Sequence, residues 1–499
     1  MDISAAAWAS IIALVIVVGI SCVNEDLNVG ILSIGFAIIV GGIFSGLSGA
    51  KVMSFFPTSL FMILAGVTFM FGLAQTNGTM EKLTAYSVRV CKGNNALIPL
   101  IVYVITSVLT TIGPGNIAAT ALLAPVMMAI ATRVGMSAFL MTLLVVGAAN
   151  GAAFSPFAPT GIISNGIIAK MAGDLGLAES SLNGLAWKIH FNSMFAQGFV
   201  NIGGFLVFGG WAWITNQRGK TVDIDELAPK PDPFNKQQVM TIWAIVLLIL
   251  LVVVPGLPGM KAIVPKQILL MTSNVGSVAF ILSGFLLLFQ AGDSKAAIKA
   301  MPWGVMMMVC GVSVLIEVMD KSGGLNALVK IIGAVSNPIT VNGWLGFITG
   351  LISAYSSSSG VVMPMFLPMV PGLIKEIGGG NPVALISSIN IGAHLVDTSP
   401  LSTLGALCIA SAGEHEDKGA LFRTLLIWGL SMSVVGGLVC LLFFGILGFY
   451  KLNIKAEVVL RLLLLLYFLD KKIVKEHYIS INPIKLVGEG GFHDEYSSS

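Results

Sequence analysis

A backbone that breaks its helix inside apolar sequence constrains this chain more than any other feature. Residues Thr110 to Gly161 contain TTIGPGNIAATALLAP and then AANGAAFSPFAPTG, so Gly113, Pro114, Gly115, Pro156, Pro159 and Gly161 interrupt a stretch otherwise fit for hydrocarbon. In a bilayer, backbone groups freed in this way have to meet protein, water or a ligand. The pattern returns in the second half of the chain. SAYSSSSGVVMPMFLP (Ser353 to Pro368) is followed by INIGAHLVDTSPLSTLG (Ile389 to Gly405). Two interrupted apolar segments at corresponding places in two halves point to a binding site near a membrane midplane.

Composition places the rest. Of the 499 residues, 56% are hydrophobic and 10% charged, against about 25% charged in a soluble domain. The chain reads as an all-α polytopic membrane protein whose main partner is the lipid bilayer. The net charge of +3 gives no footing for nucleic acid. Cys22, Cys91, Cys310, Cys408 and Cys440 are scattered and form no ligand cluster, so neither a metal site nor a disulfide framework is indicated. The start, MDISAAAW, has no basic segment before its apolar run, which therefore reads as a retained helix.

Runs of roughly 20 residues, enough to span, lie near 5–23, 28–46, 59–75, 188–215, 239–257, 268–290, 301–319 and 419–450. The broken segments 136–171 and 382–411 also read as crossings. The runs 96–132 and 341–374 carry a Gly- or Ser-rich break at the middle, so each half reaches only the midplane. Each run reads as a re-entrant hairpin; the plainer alternative is a pair of short spans. Asn216 to Gln238 is charged and Pro-containing and reads as a linker between residues 5–215 and 239–450. The tail 451–499 has no counterpart in either half and is assigned no role.

Aligning the halves reveals a repeat. Gly66-Val67, Gly78 and Leu83 match Gly311-Val312, Gly323 and Leu328; Pro125 matches Pro368; Ser155-Pro156 and Gly161 match Ser399-Pro400 and Gly405. Each half then holds five crossings, one of them a broken helix, and one re-entrant hairpin. Five is odd, so the second half is expected upside down, an inverted-topology repeat. Alternating crossings gather Lys82, Arg89, Lys92, Arg133, Arg218, Lys220, Lys230, Lys236, Lys295, Lys299, Lys418 and Arg423 on one side. The richer side is expected in the cytoplasm. The 216–238 linker is then cytoplasmic, the N-terminus outside, and the protein integral to the inner (plasma) membrane.

The tips carry the chemistry. Gly113, Pro114, Gly115 and Asn116 form the first, Ser356, Ser357, Ser358, Ser359 and Gly360 the second, and the alignment sets Ser359 opposite Asn116. Helices are expected to start at Ile117 and Val361, and a helix start attracts an anion. Two such ends facing each other suit a substrate with a carboxylate at each end. Gly115, Asn116, Ser357, Ser358, Ser359, Gly360, Thr160 and Thr403 are therefore expected at the substrate. The breaks SPFAPTG and TSPLSTLG offer carbonyls and hydroxyls to a dehydrated cation such as Na⁺. Its expected surroundings are Gly113, Asn116, Ser155, Gly161, Ser356, Asp397, Thr398, Ser399 and Gly405. The plainer reading of such small residues is close helix packing. His394 and Asp397 lie three apart, where they could pair or relay a proton, making H⁺ the alternative coupling ion. Equally, Asp397 could cap the half-helix that resumes after it. His190, Lys188, Glu317 and Asp320 read as interfacial, and Trp187, Trp211, Trp213 and Trp344 as interface anchors. No nucleotide-binding motif is present, so transport would be secondary.

At these residues the chain resembles the ion transporter superfamily, within it the divalent-anion:sodium symporters and, more closely, the MatC-type dicarboxylate carriers, over roughly residues 5–450. That family carries Ser-Asn-Thr at each tip. Here Gly115-Asn116-Ile117 keeps the Asn, and the second tip has serines and no Asn. The resemblance implies ten or eleven crossings, two hairpins, a homodimer and elevator-type alternating access. The function expected is secondary transport of small dicarboxylates of the malonate, succinate or malate class, coupled to Na⁺, with no cofactor and no enzymatic activity. The rivals are a cation/proton antiporter of the same superfamily using Asp397, and, remotely, an intramembrane enzyme.

Overall fold

Backbone in hydrocarbon must satisfy its own hydrogen bonds, and among the described residues the chain does so with helices alone. The structure is a computed structural model and describes residues 4–23, 27–89, 95–178, 181–221, 230–254, 264–272, 274–413 and 416–449. The chain divides into Met1–Asn453 and Ile454–Ser499. The tail 451–499, residues 222–229 of the linker, Cys91 and Lys92 lie outside the described residues.

The first half holds α1 (Ala5–Val23), α2 (Val29–Ser45), α3 (Gly49–Met53), α4 (Thr58–Thr76), α5 (Thr79–Val88), α6 (Ile98–Thr111), α7 (Gly115–Arg133), α8 (Ala138–Ala152), α9 (Pro159–Met171) and α10 (Leu182–Asn216). The second holds α11 (Lys236–Val253), α12 (Lys266–Met271), α13 (Val275–Leu288), α14 (Ser294–Ala300), α15 (Trp303–Lys321), α16 (Gly324–Ala334), α17 (Val341–Ser353), α18 (Ser358–Glu376), α19 (Pro382–Leu395), α20 (Thr403–Ser411) and α21 (Lys418–Ile446). Seven of these, α4, α7, α10, α11, α15, α18 and α21, are long and apolar enough to cross a membrane. Val207, Leu288 and Ile427 are 79%, 79% and 70% exposed on outer faces, as lipid-facing residues are. The chain is an all-α polytopic membrane protein.

Several boundaries differ from the sequence reading. The run 268–290 is two helices, α12 and α13. The short helices α3, α5, α14 and α16 had no signal in a search for long apolar runs. The second arms of the two expected hairpins, α7 and α18, each have 19 residues, about 28 Å of helix at 1.5 Å per residue, and are longer than a half-span. Their interiors are irregular: Pro125 sits inside α7, and α18 passes through a wide turn at Ser358–Val362 and a tight one at Leu367–Met369. Trp187 and His190 are buried, not interfacial, and pack edge-on with ring centroids 5.6 Å apart. Trp213 is also buried and donates its indole N–H to the carbonyls of Val134 and Gly135.

Helix starts recur along the chain: Thr58, Gly115, Ala138 and Pro159 in the first half, Trp303, Ser358, Pro382 and Thr403 in the second. Packing is exchanged between the halves. Gly66 of α4 stands against Gly276 of α13, and Gly30 of α2 against Gly311 of α15, each leaving no room for a Cβ. Loops tie element ends together. Asn95, just before α6, donates to Gln217 Oε1 at 3.1 Å, and Gln217 Nε2 donates to the Val134 carbonyl at 3.0 Å, so the start of α6 and the end of α7 meet. Pro338, before α17, lies beside Gly379, after α18. The described end of the linker rests on α5: Lys82 donates to the Pro233 carbonyl, and Tyr86 stacks on Phe234. At the centre lie α8 and α19, buried without exception over Leu140–Ala152 and Ala384–Leu395. Both end at the interrupted stretches.

Candidate functional site

The first tip turns at Gly113, whose φ of 142° suits only glycine; the Phe71 ring fills the space a Cβ would need. α7 begins at Gly115, earlier than expected, with Pro114 as a cap that offers no side chain. Asn116 is buried. Its Oδ1 accepts from the Ile117 N–H at 3.1 Å, and its Nδ2 donates to Asn150 Oδ1 at 2.9 Å. Asn150 Nδ2 in turn donates to the His394 carbonyl at 3.0 Å.

The second tip is built on hydroxyls. Ser357 caps α18 by accepting from the Gly360 N–H at 3.0 Å. Ser358 Oγ donates to Asp397 Oδ1 at 2.7 Å. The Ser353 hydroxyl lies 2.8 Å from Ser358 Oγ and 2.6 Å from the Ala393 carbonyl. Asp397 is therefore not a helix cap. Ser402 caps α20, accepting from the Leu404 N–H at 3.3 Å. The C-terminal carbonyls of α19 thus receive hydrogen bonds from both sides, from Asn150 at His394 and from Ser353 at Ala393.

The breaks have matching construction. After α8, Ser155 donates to the Thr111 carbonyl at 2.7 Å, and Gly161 packs on the Ser155 carbonyl. After α19, Gly405 packs on the Ser399 carbonyl, and Ser399 Oγ accepts from the Leu401 N–H.

Two cavities open at the tips. One, of about 250 Å³, is lined by Ser353, Tyr355, Ser356, Ser357, Ser358, Ser359, His394, Asp397, Ser402 and Thr403 together with Asn116, Ile117, Val305 and Met308. The second, of about 290 Å³, is lined by Phe71, Met80, Ala121, Leu122 and Ile163 together with Gly113, Gly115, Asn116, Thr160 and Ser359. Asn116, Ile117, Val305 and Ser359 line both and form the seam between them. Among the described residues, no Lys or Arg lines either. Of the residues singled out by sequence, Ser155, Gly161, Gly360, Thr398, Ser399 and Gly405 line neither cavity and sit behind the walls. Sequence reasoning missed Asn150, Ser353, Phe71 and Val305. Only Asn150 had a signal: the repeat that pairs Ser155 with Ser399 pairs Asn150 with His394.

Residues 5–153 match the family model described as "Dicarboxylate carrier protein MatC N-terminus". A comparison with curated proteins finds no match. Among solved structures, the chain is similar to the YdaH transporter of Alcanivorax borkumensis, at 16% identity and a TM-score of 0.53, over 79% of this chain and 86% of that one. It is also similar to MtrF of Neisseria gonorrhoeae, placed in a class of antimetabolite efflux pumps, at 15% identity and a TM-score of 0.52, over 79% of this chain and 82% of that one. At these identities the two structures establish the likeness of fold.

Proposed function

We propose that the chain is a secondary active transporter of small dicarboxylates, of the malonate, succinate or malate class, coupled to Na⁺. The observation that carries this is the seam: Asn116 and Ser359, set opposite each other by the sequence repeat, both line both cavities. The match of residues 5–153 to a dicarboxylate carrier family supports the substrate class. Membership of the divalent-anion:sodium symporters belongs to the same reading. With no basic side chain at the seam, a dianion is held by N–H and hydroxyl donors, and Na⁺ near Asp397 offsets its charge.

The mechanism in this reading is elevator-type alternating access by a homodimer in the inner membrane. The exchanged Gly66–Gly276 and Gly30–Gly311 packing supports an inverted repeat, and the meeting of Asn95, Gln217 and Val134 supports a re-entrant first hairpin. A second reading, cation/proton exchange, is favoured by the placing of Asp397 against Ser358 at the polar cavity.

Proteoliposomes separate the two. Succinate or malonate uptake that requires Na⁺ is expected. Asn116→Ala and Ser359→Ala each remove a hydrogen bond to a charged group, about 1.5–3 kcal/mol, so each weakens affinity roughly ten- to a hundred-fold. Unchanged affinity in both variants, by calorimetry in saturating Na⁺, puts the site elsewhere. Cation-driven proton flux without any carboxylate establishes the second reading instead.

A further inference from the structure

The two cavities share Asn116, Ile117, Val305 and Ser359 in their linings but are chemically unlike. On the far side of the seam from Asp397 and the serines, Phe71, Met80, Leu122 and Ile163 make the second cavity mainly apolar. Its volume, about 290 Å³, equals roughly ten waters at about 30 Å³ each. That is more than a short unbranched dicarboxylate fills when its charged groups sit at the rim. Apolar walls bind carbon better than they bind a second carboxylate, because a carboxylate taken from water needs donors these side chains lack. The donors within reach are Asn116 and Ser359 at the seam and the second tip beyond it; Thr68, Gln75 and Thr160 are the further polar side chains in a lining otherwise mostly apolar.

We propose that the substrates are dicarboxylates carrying an apolar substituent, with the carboxylates held at the seam and the substituent lodged among Phe71, Leu122 and Ile163. This rests on the dicarboxylate reading above and narrows its substrate class. Each methylene buried in such a pocket strengthens binding about four-fold. A butyl or benzyl arm therefore gains ten-fold or more over the bare acid. The seam fixes where the arm attaches: on a carbon between the carboxylates, which faces the second cavity when both carboxylates are engaged at the tips.

The test is competition for labelled succinate uptake in proteoliposomes by succinate, methylsuccinate, butylsuccinate and benzylsuccinate. Affinity is expected to rise along the series, with the last two at least ten-fold tighter than succinate. Ala121→Phe places a ring in the second cavity from an exposed position on α7. The ratio of benzylsuccinate to succinate affinity is then expected to fall at least ten-fold. Substituted acids that compete no better than succinate overturn the proposal, as does an Ala121→Phe variant that weakens all four alike; the second cavity is then a water-filled route, and the dicarboxylate reading stands. If none of the four is bound, the dicarboxylate reading falls and this inference with it.

Discussion

Asn150 is the residue whose neighbours say most about how the site is held. Its amide joins Asn116, at the first tip, to the His394 carbonyl, three residues before Asp397. It is 1% exposed, so the link is made away from water. Asn150→Leu leaves an N–H of Asn116 and the His394 carbonyl without this partner, at about 1–3 kcal/mol for each buried group. Dicarboxylate affinity by calorimetry should fall by at least ten-fold, and Asn150→Asp, which keeps the acceptor for Asn116, should recover part of it. Equal affinities in wild type and Asn150→Leu would show that the tip holds its place without this link. At Asp397, Asn preserves an acceptor for Ser358 but carries no charge, so Asp397→Asn separates geometry from electrostatics. Substrate uptake in this variant is expected to lose its dependence on the coupling cation. Full Na⁺ dependence would remove the carboxylate from the coupling. Asn116, Ser359 and Asp397 were legible in the sequence because polar or ionisable residues beside Gly, Pro or Ser runs are conspicuous in apolar surroundings. Asn150 was passed over, because a small amide within AANGAA reads as ordinary helix packing and only its pairing with His394 in the alignment of the halves marks it.

Among the elements, the interrupted helices were the easiest to foresee and the short ones the hardest. Proline and glycine announce a break whatever the tertiary fold, so the stretches after α8 and α19 stood out. α5 and α16 left no trace in a search for spanning runs, since each is too short and too mixed in polarity. The arms α7 and α18 are equally long, and the wide turn that opens α18 at Ser358–Val362 is seen only in the structure. Within the breaks, Gly161 and Gly405 stand where a Cβ would overlap the carbonyls of Ser155 and Ser399. Backbone has to move if either becomes alanine, because a carbonyl cannot swing aside as a side chain can. Gly161→Ala and Gly405→Ala should each destabilise by about 1–3 kcal/mol, the usual range for overpacking a filled interior, visible as a lower unfolding midpoint in detergent. An unchanged midpoint in both would mean that the breaks relax freely.

For the molecule as a whole, the question is whether the halves are inverted, and α18 decides it. Its 19 residues reach about 28 Å, close to the roughly 30 Å hydrocarbon core, so length allows it to cross. Two features argue that it returns instead. Its helix is not regular, with a wide turn at Ser358–Val362 and a tight one at Leu367–Met369, and Pro338 lies beside Gly379, which brings the entry of α17 to the exit of α18. The expected repeat rests on a near-constant spacing of weak matches, and spacing carries no direction; the expected orientation rests on the odd crossing count and the lysine and arginine bias. Single cysteines at the exposed positions Asn337, Lys375 and Lys299, in a background without native cysteines, test both with an impermeant maleimide on intact cells. An inverted repeat with a re-entrant second hairpin exposes Asn337→Cys and Lys375→Cys together on the outer face and shields Lys299→Cys until the cells are opened. Labelling of Lys299→Cys alone would reverse the orientation and leave the hairpin in place. Asn337→Cys and Lys375→Cys on opposite sides would mean that α17 and α18 do not form a re-entrant pair, and the second half would then no longer be the inverted image of the first.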